Sequence, residues 1–120
     1  MRGLITALAL LLCAGAAAQQ PHSTGECGEG GDFIRNAARA RDNGTSREFF
    51  VGRLEEDFLM IRAFPPALRW FVHDEADEQF LRAEVEAVFD APSSSESHRA
   101  GFVERCVRRA QQLATPAPNA

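Results

Sequence analysis

The chain opens on an almost unbroken apolar run from Leu4 to Ala18, and beyond it the apolar residues recur at intervals of three and four. That spacing stacks side chains on one face of an α-helix. Asp32 can cap a first helix carrying Phe33, Ile34, Ala37, Ala38 and Arg41 at helical spacing. Asn43-Gly44 supplies its stop, because Gly accepts the left-handed conformation without penalty. Thr45, followed three residues on by Glu48, has the capping-box pattern and opens a second helix. Phe50, Leu54, Phe58 and Ile61 mark its core face, widened by Phe49, Leu59 and Met60. Pro65-Pro66 ends that helix and starts a third, since Pro is favoured at the first helical position. Leu68, Phe71, Val72, Ala76, Phe80, Val85 and Val88 carry its apolar side, with a bend or a division near His73–Glu78. After the loop at Pro92-Ser93-Ser94-Ser95, Phe102, Cys106, Ala110 and Leu113 share the face of a fourth helix. No segment alternates with period two. The pattern predicts an all-α fold, a small bundle of about four helices.

The leading apolar run has a different meaning. Met1-Arg2-Gly3, about fifteen apolar residues, and the small residues Ala16-Ala17-Ala18 form a secretory signal with cleavage before Gln19. The run is short of the about twenty residues a membrane span needs. The expected organisation is therefore a signal peptide (1–18), a flexible Gly/Ser/Thr lead-in (19–31), a helical domain (32–113) and a disordered Pro/Ala tail (114–120). Export places the chain in the periplasm or outside the cell, with no membrane attachment after cleavage. Of the three cysteines, Cys13 leaves with the signal. Cys27 and Cys106 remain, and an even pair in an oxidising compartment reads as a disulfide. Closing so long a loop stabilises by about 4.5 kcal/mol in the chain-entropy picture. The formal net charge of −4 becomes one unit more negative without Arg2. Mild acidity argues against a nucleic-acid partner, which needs a basic footprint.

Several clusters invite a chemical reading. His73 and Asp77 lie four apart, so on one helix face they could hold a divalent metal, with His98 or Glu55 as a third ligand. The competing reading is a solvated acidic face with Arg82 answering Glu78. Glu55, Glu56 and Asp57 could supply an acid and a base, but a chain this small has little material for cleft walls. They read as surface on the second helix, answered by Arg105, Arg108 and Arg109 of the fourth, either within the molecule or across a dimer. Gly25, Gly28, Gly30 and Gly31 lack the preceding strand and following Lys-Ser/Thr of a phosphate loop, and Glu26, Glu29 and Asp32 would repel phosphate. They read as slack around Cys27. The Ser93–Ser97 stretch with His98 offers hydroxyl and imidazole without a rigid seat. Of Phe49-Phe50, one ring is left over for the surface, where it can anchor a partner. No catalytic, cofactor-binding or metal residue is assigned on this reading, and no cofactor is expected.

The string Ala37-Ala38-Arg39-Ala40-Arg41-Asp42-Asn43-Gly44, framed by an early and a late cysteine, resembles a loose group of small exported proteobacterial helical proteins. They share a signal peptide, a helix ending in an Arg-Asp-x-Gly stop, and a C-terminal Cys. The resemblance implies export and a helical fold; the group has no agreed activity and transfers no functional residue. The outline is also similar in plan to small periplasmic acid-stress chaperones, which release apolar surface when carboxylates protonate. The expected role is non-catalytic binding of a protein partner, the alternative an acid-stress periplasmic chaperone. Amino-terminal sequencing of the protein recovered from an exporting host should begin at Gln19; a chain that retains Met1 would overturn the export reading.

Overall fold

The computed structural model describes residues 20–115, so the expected signal peptide, its expected cleavage site and all but the first two residues of the expected tail lie outside the described residues. Four α-helices follow in order, α1 (Thr24–Asp42), α2 (Arg47–Arg62), α3 (Glu75–Asp90) and α4 (Ser95–Ala114), with one 3₁₀ turn at Pro66–Leu68. The described residues contain no strand, and none of their helices is long and apolar enough to cross a membrane. The fold is an all-α bundle.

The first helix begins nine residues earlier than its apolar period indicates. Ser23 and Glu26 form a complete capping box: Ser23 N–H donates to Glu26 Oε1 and Glu26 N–H to Ser23 Oγ, each at 3.1 Å. Most of the expected flexible lead-in (19–31) is thus helix, from Thr24 onward. Each interior Gly costs a helix about 1 kcal/mol relative to Ala, and tertiary contact explains two of them. A Cβ at Gly30 would lie 2.6 Å from the Phe102 ring and 2.9 Å from that of Phe71; one at Gly31 would lie 2.7 Å from Val103. The bare backbone lets α4 come close. On the same stretch Cys27 is buried, with its sulfur 2.11 Å from that of Cys106 and their Cα atoms 5.6 Å apart. At its other end α1 stops at Asn43, where Gly44 takes a φ of +95°.

The second and third helices also depart from the expected boundaries. Ser46 caps α2, not Thr45, its hydroxyl accepting the Phe49 N–H at 3.1 Å. Pro65-Pro66 starts only the 3₁₀ turn, and the chain then runs as an irregular link to Asp74, whose carboxylate accepts the Asp77 N–H at 2.8 Å and opens α3. Within the link Phe71 holds a φ of +52°, a strained value for a bulky residue that survives only when its surroundings dictate it. Here the rings of His22, Trp70, Phe80 and Phe102 surround it.

The core joins Ile34, Ala37 and Ala38 of α1 to Phe71, Val72, Leu81, Val85, Val88 and Phe102. The tightest seam lies between α1 and α4, while α2 rests chiefly on α3. That lean leaves only Leu54 and Phe58 of α2 buried. Phe49, Leu59 and Met60 do not widen its core face; they are 62%, 64% and 68% exposed. The glycines supply a paired test by chemical denaturation. Gly30→Ala should destabilise by about 1–3 kcal/mol through overpacking, whereas Gly28→Ala, with nothing near its would-be Cβ, should stabilise by up to about 1 kcal/mol.

Candidate functional site

Where the start of α1, the 69–74 link, the first turn of α3 and the last third of α4 meet, a polar cluster is embedded among aromatic rings. His22 lies just ahead of the α1 cap, buried, its ring stacked on Phe71 with centroids 4.0 Å apart. Its Nε2 faces the Phe71 carbonyl and stands 3.7 Å from Asp77 Oδ2. Asp77 is buried and doubly engaged. Its Oδ2 accepts the His73 backbone N–H at 2.9 Å, and its Oδ1 lies 2.8 Å from Arg109 Nη1. The Arg109 guanidinium also covers the Phe80 ring at 4.9 Å, a cation–π contact, and reaches within 3.5 Å of His22 Nδ1. The His73 ring turns the other way: Nε2–H donates to Glu26 Oε2 at 2.8 Å, and Nδ1 lies 3.3 Å from the Pro66 carbonyl. Glu26 therefore caps α1 with one oxygen and holds His73 with the other.

His73 and Asp77 do come together, but not as ligands on one helix face. His73 precedes the α3 cap, and it is its backbone, not its imidazole, that meets Asp77. His98 lies by Arg41 at the opposite end of α1, its Nε2 accepting from Ser93 N–H at 3.0 Å and facing Arg41 Nη1 at 3.3 Å. Burial and the Arg41 and Arg105 charges hold its pKa below 6.5. Its described hydrogen bonds run to Arg41 and the Ser93 amide, not to His73 or a serine hydroxyl. Glu55 pairs with Arg82 and Glu78 with Arg62, in place of the expected Glu78–Arg82 pair. Arg105 pairs with Glu84, Arg108 with Glu104, and Arg109 with Asp77. The expected bridging of α2 acids to α4 arginines does not occur within the molecule, because α2 leans on α3. Glu56 and Asp57 are exposed. His22, Glu26 and Arg109 were missed as a group. The Ser23-x-x-Glu26 pattern was the available signal, and it would have placed His22 at a helix entrance.

A second feature is apolar. Because α2 stands off from α1, a groove runs between them as adjoining cavities of about 400 and 490 Å³ that share Phe33, Leu54 and Asp57. Ile61, Phe64 and Trp70 close one end, Phe49 and Phe50 the other. Along this side Phe49, Met60 and Phe64 are between 54% and 68% exposed, a concentration of apolar surface that marks interaction sites. Among the described residues, Asp57 has no ion-pair partner. Comparison with protein-family models, curated proteins and solved structures finds no match to this chain. Fold and site define its class alone: a small disulfide-closed helical domain with one paired polar cluster and one open apolar groove.

The polar cluster makes stability depend on pH. Partial burial pushes Glu26 up, but the His73 hydrogen bond, the Ser23 amide and the nearby imidazoles outweigh it and hold its pKa below 4.5. Burial pushes His73 down, while the Glu26 hydrogen bond, the Pro66 carbonyl and the Glu26 and Asp77 charges raise it above 6.5. The His73 contribution is complete below 6.5 and is lost as pH rises through its raised value. The Glu26 contribution is present above 4.5 and is lost as pH falls through its lowered value. The stability difference between wild type and His73→Gln, from urea midpoints, should therefore be greatest at about pH 5–6, on the order of 1 kcal/mol, and shrink in alkali.

Proposed function

We propose that this chain is a non-catalytic exported protein, periplasmic or secreted, that binds another protein by seating an apolar segment of it between α1 and α2. The observation that carries this reading is the groove itself, floored by Phe33, Leu54 and Phe58 and rimmed by large exposed apolar side chains. Asp57, on the wall of both cavities, gives the partner's chemistry one further mark, a Lys or Arg beside its apolar residues. The imidazoles and carboxylates of the polar cluster are engaged with one another, away from this groove, which supports binding over catalysis.

Trp70 is the sole tryptophan and lines the groove, so its emission reports occupancy. A Lys-bearing amphipathic helical peptide should shift that emission to the blue and saturate at one equivalent. Met60→Asp, at an exposed position, should weaken binding at least tenfold, about 1.4 kcal/mol, without altering the fold. A native periplasmic pull-down should yield one stoichiometric partner at neutral pH, lost with Met60→Asp. Recovery of many proteins only at acid pH would replace this reading with that of an acid-stress chaperone.

A further inference from the structure

We propose that His22, Glu26 and His73 form a binding site for a borderline divalent cation of the zinc type. One ligand atom from each residue, a ring nitrogen or a carboxylate oxygen, lies within 4.8 Å of the other two. Zinc–nitrogen and zinc–oxygen bonds of about 2.0–2.2 Å place tetrahedral ligand atoms roughly 3.3–3.5 Å apart. Binding would draw the three atoms together from positions already within 4.8 Å of one another. Two imidazoles and one carboxylate make a three-ligand set with one position open to water or an incoming group. A nitrogen majority selects zinc and its neighbours over magnesium or calcium, which require oxygen.

The surroundings do what supporting groups do at metal sites, which is to fix each ligand's orientation through its other polar atom. Ser23 N–H holds Glu26 Oε1 at 3.1 Å and leaves Oε2 turned to His73. The Pro66 carbonyl, 3.3 Å from His73 Nδ1, directs Nε2 inward. Stacking on Phe71 and the Phe71 carbonyl fix the His22 ring. The nearest cation, Arg109, is already paired with Asp77 at 2.8 Å, which blunts its repulsion of a metal. His22 is buried while Glu26 and His73 are half-buried, so an ion has a path in. A bound ion would tie together the entry to α1, its first turn and the link before α3, far from the groove between α1 and α2 in chemistry though sharing that link. A bound ion here requires no partner in the groove.

The test is calorimetric titration of Zn²⁺ into the protein, purified without a polyhistidine tag at about pH 7.5. One equivalent should bind, and Co²⁺ in its place should give the visible absorption of a four-coordinate ion. Glu26→Gln keeps an oxygen for the Ser23 cap, and it and His73→Gln should each lower zinc affinity more than about a hundredfold, beyond the loss typical of an outer-shell partner. His98→Gln, at the other end of α1, should bind as the wild type does. Near-UV circular dichroism confirms that each variant is folded, and if His73→Gln is not, Glu26→Gln decides alone. Absence of stoichiometric binding, unchanged affinity in Glu26→Gln, or equal loss in His98→Gln overturns the site. Because the Trp70 titration is run without metal, failure there and failure here are separate results.

Discussion

The close approach of α1 to α4 is the constraint on which the rest of this domain depends. Two bare positions, Gly30 and Gly31, let the Phe102 ring and the Val103 side chain reach the α1 backbone, and Cys27–Cys106 fastens the same stretch covalently. A helix whose first half carries four glycines is intrinsically poor, at about 1 kcal/mol for each. It forms because the Ser23–Glu26 box starts it and because burial against α4 rewards the absence of side chains. The disulfide, spanning 79 residues, contributes about as much as those glycines withhold.

Once α1 is seated, the cluster at its entrance is determined. His22 is carried inward onto Phe71, Glu26 is turned toward His73, and the positive φ of Phe71 is held by the rings about it. Asp77 then needs a counter-charge, and Arg109 of α4 supplies it from above Phe80. The cluster is fully cross-linked by hydrogen bonds and ion pairs across four chain segments. A buried charge pair of this kind adds little net stability over apolar packing, but it penalises misplacement of either partner strongly. It locks the link to the two helices it joins.

The same seam explains the groove. With α1 and α4 bound to each other and α3 packed on α1, α2 rests chiefly on α3. Its apolar residues exceed what that one contact can bury, so Phe49, Leu59 and Met60 face outward and Phe33, Leu54 and Phe58 floor an open channel. Paired acids elsewhere on the surface find arginines on neighbouring elements, as Glu55 does with Arg82. Asp57 stays on the groove wall instead.

Periodicity alone was enough for an all-α fold and for the existence of four helices, and the two cysteines left after the expected signal were enough for the pairing of Cys27 with Cys106. Local chemistry also placed the stop at Asn43-Gly44, because a positive φ at Gly is a property of one residue. What periodicity missed was decided at a distance. Gly25 to Gly31 reads as slack until Phe102 and Val103 are brought against it, and the cluster of His22, Glu26, His73, Asp77 and Arg109 is assembled from segments up to 87 residues apart. Leu59 and Met60 flank the stripe of Leu54 and Phe58, and how wide a stripe is covered depends on which neighbour the helix leans against. A sequence sets the period and the caps of each helix, since these are made within a few residues. Which faces meet, and which are left open, is settled only when the helices pack, because burial is a property of pairs.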